Sequence, residues 1–120
     1  MTFDEIKKLL SLVNDPVEKL DVVMEIGKTL SPVPGDAQCT EILGCSSFVQ
    51  ICRRENNFYG TADSGLVRGI VAIILSMVDG HSPDEIRSMP LETWFRELNI
   101  NIGAARLNGM NSMIRFLQNL

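Results

Sequence analysis

Apolar residues recur at helical spacing from the first turn of the chain. Thr2-Phe3-Asp4-Glu5 spells a capping box, in which the Thr2 hydroxyl serves one orphan amide and Glu5 reaches back to another. Ile6, Leu9, Leu10 and Val13 follow on one face, so the spacing predicts a helix that stops near Asn14. Asp15-Pro16-Val17-Glu18 opens a second helix, with proline where the first turn tolerates it. Val17, Leu20, Met24 and Gly27, joined by Val23, form its expected apolar stripe. The helix ends before Ser31-Pro32, because a residue preceding proline avoids the helical region.

The pattern then changes period. Ser31 to Glu41, with Pro32, Pro34, Gly35 and Asp36, reads as a loop. Ile42 to Arg54 reads as a strand with Cys45 near its beginning. Phe48, Gln50 and Cys52 are expected on one face, and Val49, Ile51 and Arg53 on the other. Both faces are mixed, so one side is covered and the other only partly. Glu55-Asn56-Asn57 is a turn, and Phe58-Tyr59-Gly60-Thr61 a returning strand, giving a hairpin in a sheet of about two to four strands.

Asp63 or Ser64 caps the next helix, which runs through Asp79. Leu66 to Val78 is apolar nearly all round and therefore buried. Gly65 and Gly69, one turn apart, let a neighbour approach closely, and Gly80 ends the helix. Ser82-Pro83-Asp84-Glu85 is a second capping box, opening a short helix that Met89-Pro90 stops. Leu91 to Leu98 is another, with Trp94 and Phe95 as core anchors. The last helix starts near Ala104 and places Leu107, Met110, Ile114 and Leu117 on one face. Met24, Met77, Met110 and Met113 fall at core spacing and read as filler. No repeat, low-complexity tract or linker interrupts the chain, so residues 1–120 read as a single domain.

Composition narrows the function. A net charge of −4 argues against nucleic-acid binding, where phosphate neutralisation supplies most of the affinity. The most apolar run, Leu66 to Val78, contains Arg68 and is too short to span a bilayer. Met1-Thr2-Phe3-Asp4-Glu5 lacks a signal-peptide h-region. Three cysteines, an odd number, do not make a secreted disulfide framework. The expectation is a cytoplasmic protein with reduced thiols.

Candidate chemistry centres on Gly44-Cys45-Ser46-Ser47. Gly44 frees the backbone to turn beside the sulfur, and Ser46 and Ser47 offer hydroxyls and amides to a thiolate. Such a thiol, presented by a loop and anchored by a sheet, is placed to meet something large. No Ser–His–Asp set competes, since His81 is the only histidine, and it has no metal-ligating partner at motif spacing. Cys52 reads as core. Cys39, earlier in the loop, reads as a bystander rather than a resolving thiol.

These residues also form a wider pattern. Gly44-Cys45-x-Ser47-x-Val49 resembles the cysteine loop of the SufE family of sulfur-acceptor proteins. Glu25-Ile26-Gly27-x-x-Leu30-x-Pro32 is similar to the end of that family's second helix. Gly60-x-x-Asp63-Ser64-x-x-Val67-Arg68-Gly69-Ile70-Val71-Ala72 resembles its central segment, followed by Ser82-Pro83-x-Glu85-Ile86. Trp94-Phe95 and Arg106-x-Asn108-Gly109-Met110-x-x-Met113-Ile114 resemble its C-terminal helices. The motifs stand in order over nearly the whole chain. Two positions depart: Ser46 stands where the family usually has Gln or Thr, and Gln50 where it commonly has Trp.

The resemblance implies an α+β fold, a small mostly antiparallel sheet covered by helices, like that of SufE and IscU proteins. It implies a persulfide carrier rather than a stand-alone enzyme. Cys45 would take sulfur from a pyridoxal-phosphate-dependent cysteine desulfurase of the SufS type, stimulate it, and deliver sulfur to an iron–sulfur assembly complex of the SufBCD type. The acceptor itself would hold no cofactor or metal. Asp63 and Arg106 fall in the matched motifs; Asp63 reads as a helix cap, and Arg106 as its partner or as a cation near the thiol that lowers its pKa. An alternative is an IscU-like metal or cluster scaffold using Cys39, Cys45 and Asp63. A thiol enzyme ranks last, for want of an adjacent base or CxxC. The pattern does not decide between a monomer and a homodimer.

Overall fold

A computed structural model describes all residues 1–120. Its elements are α1 (Phe3–Ser11), α2 (Pro16–Gly27), β1 (Gln38–Glu41), β2 (Val49–Arg54), β3 (Asn57–Ala62), α3 (Gly65–Val78), α4 (Pro83–Arg87), α5 (Leu91–Arg96) and α6 (Ala104–Gln118). The fold is α+β, with the strands in the order β1-β2-β3, all antiparallel.

The helix starts are set locally. Thr2 and Glu5, and again Ser82 and Glu85, form reciprocal capping boxes, and the Asp15 carboxylate accepts from the Val17 and Glu18 amides ahead of α2. Ser64, not Asp63, caps α3: its hydroxyl accepts from the Val67 amide.

α3 is the axis of the molecule. It packs against α1, α2, α5, α6 and β3, and ten of its residues from Val67 to Val78 are buried. Its closest neighbour is α2. A Cβ on Gly69 would overlap the carbonyl oxygen of Val23, and one on Gly27 would stand 2.7 Å from the Gly69 nitrogen. The backbones thus touch, and this seam fixes the rotation of α2. Val23, Ile26 and Gly27 face inward, whereas Val17 and Met24, expected in the stripe, are 69% and 38% exposed. Met24 is therefore not core filler; Met77, Met110 and Met113 are.

α3 covers one face of the sheet, made by Val49, Ile51, Phe58, Gly60 and Ala62. Gly60 leaves room for Val71, whose Cγ1 would lie 2.5 Å from an added Cβ. The Asp79 carboxylate accepts from the Phe58 amide at 2.9 Å, tying the end of α3 to β3. Gly80 follows with φ +83° and donates to the Asn56 carbonyl in the hairpin turn.

Three expectations are corrected in the sheet. The segment expected as loop contains β1, and Ile42 to Phe48, expected as strand, is loop. Gly44 leaves the β region at φ +91°, which turns the chain away from the ladder. Cys39 and Cys52 are neither bystander nor plain core: they form a cross-strand disulfide, with Cα atoms 3.9 Å apart. Ile42 donates to the Val49 carbonyl, so the alternation of the ladder puts Cys39 and Cys52 at a non-hydrogen-bonded pair, where side chains lie closest. The bridge lies on the sheet's other face, with Gln50, Tyr59 and Thr61, where most residues are exposed.

The seam yields a test. Gly69→Ala is expected to lose about 1–3 kcal/mol of unfolding free energy, although alanine is the better helix former. Urea denaturation measures it, and an unchanged midpoint would show that the two backbones do not meet there.

Candidate functional site

Cys45 sits midway along the loop Ile42–Phe48 that joins β1 to β2. Both ends of the loop are anchored. Ile42 is buried and donates to Val49, and the Asp63 amide donates to the Phe48 carbonyl at 3.3 Å. Between the anchors, Leu43, Gly44, Ser46 and Phe48 are exposed.

The thiol docks on α6. Its Sγ lies 3.7 Å from the carbonyl oxygen of Gly109, to which the S–H donates. A Cβ on Gly109 would stand 3.2 Å from the sulfur, so the missing side chain makes the seat. Gly44 is fitted the same way, its absent Cβ falling 2.6 Å from the Ser112 hydroxyl. Val67, Ile70, Ala105, Arg106 and Met113 complete a narrow cleft around Cys45. About 10 Å³ remains free, room for one water at most.

This seat favours the neutral thiol. Burial pushes the Cys45 pKa above the 9.0 of a solvated thiol, and no neighbouring charge pulls it back. Arg106 lines the cleft, but its guanidinium donates to the Ile102 carbonyl at 3.3 Å. It does not exert the lowering expected of it. Asp63 is exposed and forms no ion pair with Arg106. Ser46 and Ser47 line the cleft without hydrogen-bonding the sulfur. The structure thus brings Gly44, Cys45, Ser46, Ser47 and Arg106 together, and leaves Asp63 at the outer end of the loop.

Gly109 and Ser112 were not foreseen as site residues. The signal for Gly109 is an interior helix glycine, which weakens a helix by about 1 kcal/mol and so points to a close contact that offsets the cost. Cys39 is bonded to Cys52, and no three His, Cys, Asp or Glu side chains converge as metal ligands. The donor set expected of a metal scaffold, Cys39 with Cys45 and Asp63, is therefore not assembled.

The sequence profile of the SufE, Fe-S metabolism associated domain family matches residues 4–120. The chain belongs to this family. It is 28% identical to an uncharacterised SufE-like protein of Rhizobium etli, over 95% of this chain and 85% of that one. The solution structure of a hypothetical protein from Thermus thermophilus superposes with a TM-score of 0.68, covering 99% of this chain and 94% of the other. At 15% identity, that likeness speaks for the fold alone. Membership associates this SufE-family protein with iron–sulfur metabolism. No helix is long and apolar enough to cross a membrane.

The docked thiol generates two expectations. Because its folded pKa is raised, the native state keeps the proton longer than the unfolded chain as pH rises. Stability from this group is complete below pH 9.0 and is lost as pH climbs through the higher folded value. Urea titrations between about pH 8 and pH 11 should show this extra decline in wild type and not in Cys45→Ser. Separately, Gly109→Ala crowds the sulfur out of its seat. Alkylation of Cys45 at pH 7 is expected to rise roughly two- to tenfold, and a rate equal to wild type would mean the seat does not restrain the thiol.

Proposed function

We propose that Cys45 is a sulfur acceptor. It takes a sulfane sulfur from the persulfide of a pyridoxal-phosphate-dependent cysteine desulfurase, so raising that enzyme's turnover, and passes it to an iron–sulfur assembly complex. The step is thiolate exchange. The Cys45 thiolate attacks the outer sulfur of the donor persulfide, a new S–S bond forms on Cys45, and the donor cysteine leaves as thiolate. No atom or electron is left over, and the pyridoxal phosphate belongs to the desulfurase. On this reading residues 1–120 act as one SufE-like domain, in the cytoplasm with its partner.

The observation that carries the proposal is the presentation of the one free thiol. It rides on a loop anchored at both ends, in a narrow cleft, held by one weak S–H···O bond. The same loop carries exposed apolar side chains, Leu43 at 80% and Phe48 at 39%, and Leu107 on α6 is 44% exposed. Leu107 was expected in the core face of α6, but that face is made by Gly109, Met110, Met113, Ile114 and Leu117. Exposed apolar residues on the loop that carries a reactive group are what a docking partner covers. Docking that draws the loop off α6 would free the sulfur from the Gly109 carbonyl and from its seat. Arg106 lines the cleft, and the backbone amide of Asp63 holds the loop's end through the Phe48 carbonyl.

The test is direct. The protein is incubated with a cysteine desulfurase and L-cysteine, and intact and peptide masses are read. Wild type should carry one added sulfur on Cys45, removable by a thiol reductant. Cys45→Ser should carry none there and leave desulfurase turnover at its unassisted rate. A wild-type protein left unmodified by an active, matched desulfurase would end the proposal.

A further inference from the structure

We propose that Cys39 and Cys52 are a reversible redox site, read by a dithiol reductant, and that their state sets how freely the Cys45 loop leaves its seat. The inference concerns exposure of the thiol and does not depend on what Cys45 carries.

The placement of the disulfide carries the argument. β1 is an edge strand of four residues, all exposed, and it pairs with β2 alone. It has no apolar face to bury, so packing contributes little to holding it. From Lys28 to Phe48, the only buried residue is Ile42. The Asp36–Arg54 ion pair, 3.3 Å, is exposed on both sides and adds little. The covalent bridge is thus the strongest restraint on the segment that leads into the thiol loop. It closes a separation of 13 residues, and Cys45 lies inside that closed span.

The site is also open to chemistry. Cys39 is exposed and Cys52 buried, and both lie on the face of the sheet that α3 does not cover. A thiolate of the reductant attacks the Cys39 sulfur. Cys52 departs as thiolate and takes up a proton. The reductant's second thiol then attacks the mixed disulfide, closes its own disulfide and releases Cys39 as thiol. Two electrons and two protons pass from the reductant to the pair. A disulfide oxidant such as glutathione disulfide reverses the step. Cys45 is not consumed in either direction.

Reduction leaves β1 attached by a short ladder only. Local fraying of the edge is then easier, and the 42–48 loop gains slack at its β1 end. In the bridged state the same loop is held short and the thiol stays docked.

Site-resolved alkylation tests this. Cys45 modification by iodoacetamide at neutral pH is measured by peptide mass in oxidised protein, in protein reduced with a dithiol and desalted, and in Cys39→Ser. Reduction should raise the Cys45 rate at least about fivefold, and glutathione disulfide should restore the slow rate in protein whose peptide masses show the Cys39–Cys52 bond re-formed and Cys45 free of glutathione. Cys39→Ser should be fast under both conditions. Thermal melts of the reduced protein should keep a cooperative transition. Equal Cys45 rates in both states would overturn the proposal. So would Cys39 and Cys52 remaining unjoined in glutathione disulfide, or global unfolding on reduction, which would make the bridge a staple. A protein that shows the rate shift yet accepts no sulfur from a desulfurase would sink the sulfur-acceptor reading and leave this one standing.

Discussion

The contact between the backbones of α2 and α3 is the constraint on which the rest of this structure depends. Two glycines, Gly27 and Gly69, let these helices meet without side chains between them. With α2 seated so closely on one side, the other faces of α3 are free to serve as walls. Val71 and Leu75 press on the sheet at Gly60, and Val67 and Ile70 form one side of the thiol cleft. The sheet and α6 are thus placed relative to each other by the same helix. The β1–β2 loop and Gly109 meet because both are referenced to it. The seam and the sulfur site are parts of one packing problem.

At the site, burial and reactivity oppose each other. Exchange chemistry needs a thiolate, and the seat favours a protonated Cys45. A cation close to the sulfur would ease this conflict, but Arg106 spends its guanidinium on the Ile102 carbonyl. Nor is the loop locked in place: one weak hydrogen bond and a notch of one missing methyl hold the thiol down. In the docked position the thiol is thus weakly held and favoured in its neutral form. Leu43 and Phe48, on the same loop, are left exposed.

The helices were legible because their signals are local. Capping boxes at Thr2 and Ser82, Pro16 at a first turn and the all-apolar run of α3 need only neighbouring residues to be read. β1 was not legible, since Gln38-Cys39-Thr40-Glu41 shows no alternation; it is a strand because β2 offers an edge. The Cys39–Cys52 bridge was hidden for the same reason, being a consequence of register. The rotation of α2 was misread because hydrophobicity pointed to Val17 and Met24, while the glycine contact decides the geometry. Cys45 itself stood out, with Gly44 and the two serines. Its depth did not, because that depth comes from Gly109, far along the chain.

The two positions that depart from the resemblance, Ser46 and Gln50, lie outside the core. Gln50 pairs in register with Glu41 and Thr61, on the face of the sheet that α3 does not cover. A polar side chain there suits an open face, and it lies across the strand from the buried Val49 and Ile51. Ser46 is exposed at the mouth of the cleft and makes no hydrogen bond to the sulfur. Neither substitution reaches the floor formed by Gly109 or the wall formed by Val67 and Ile70. Their effects therefore bear on what another protein would meet, and the seat of the thiol is left as the rest of the packing makes it.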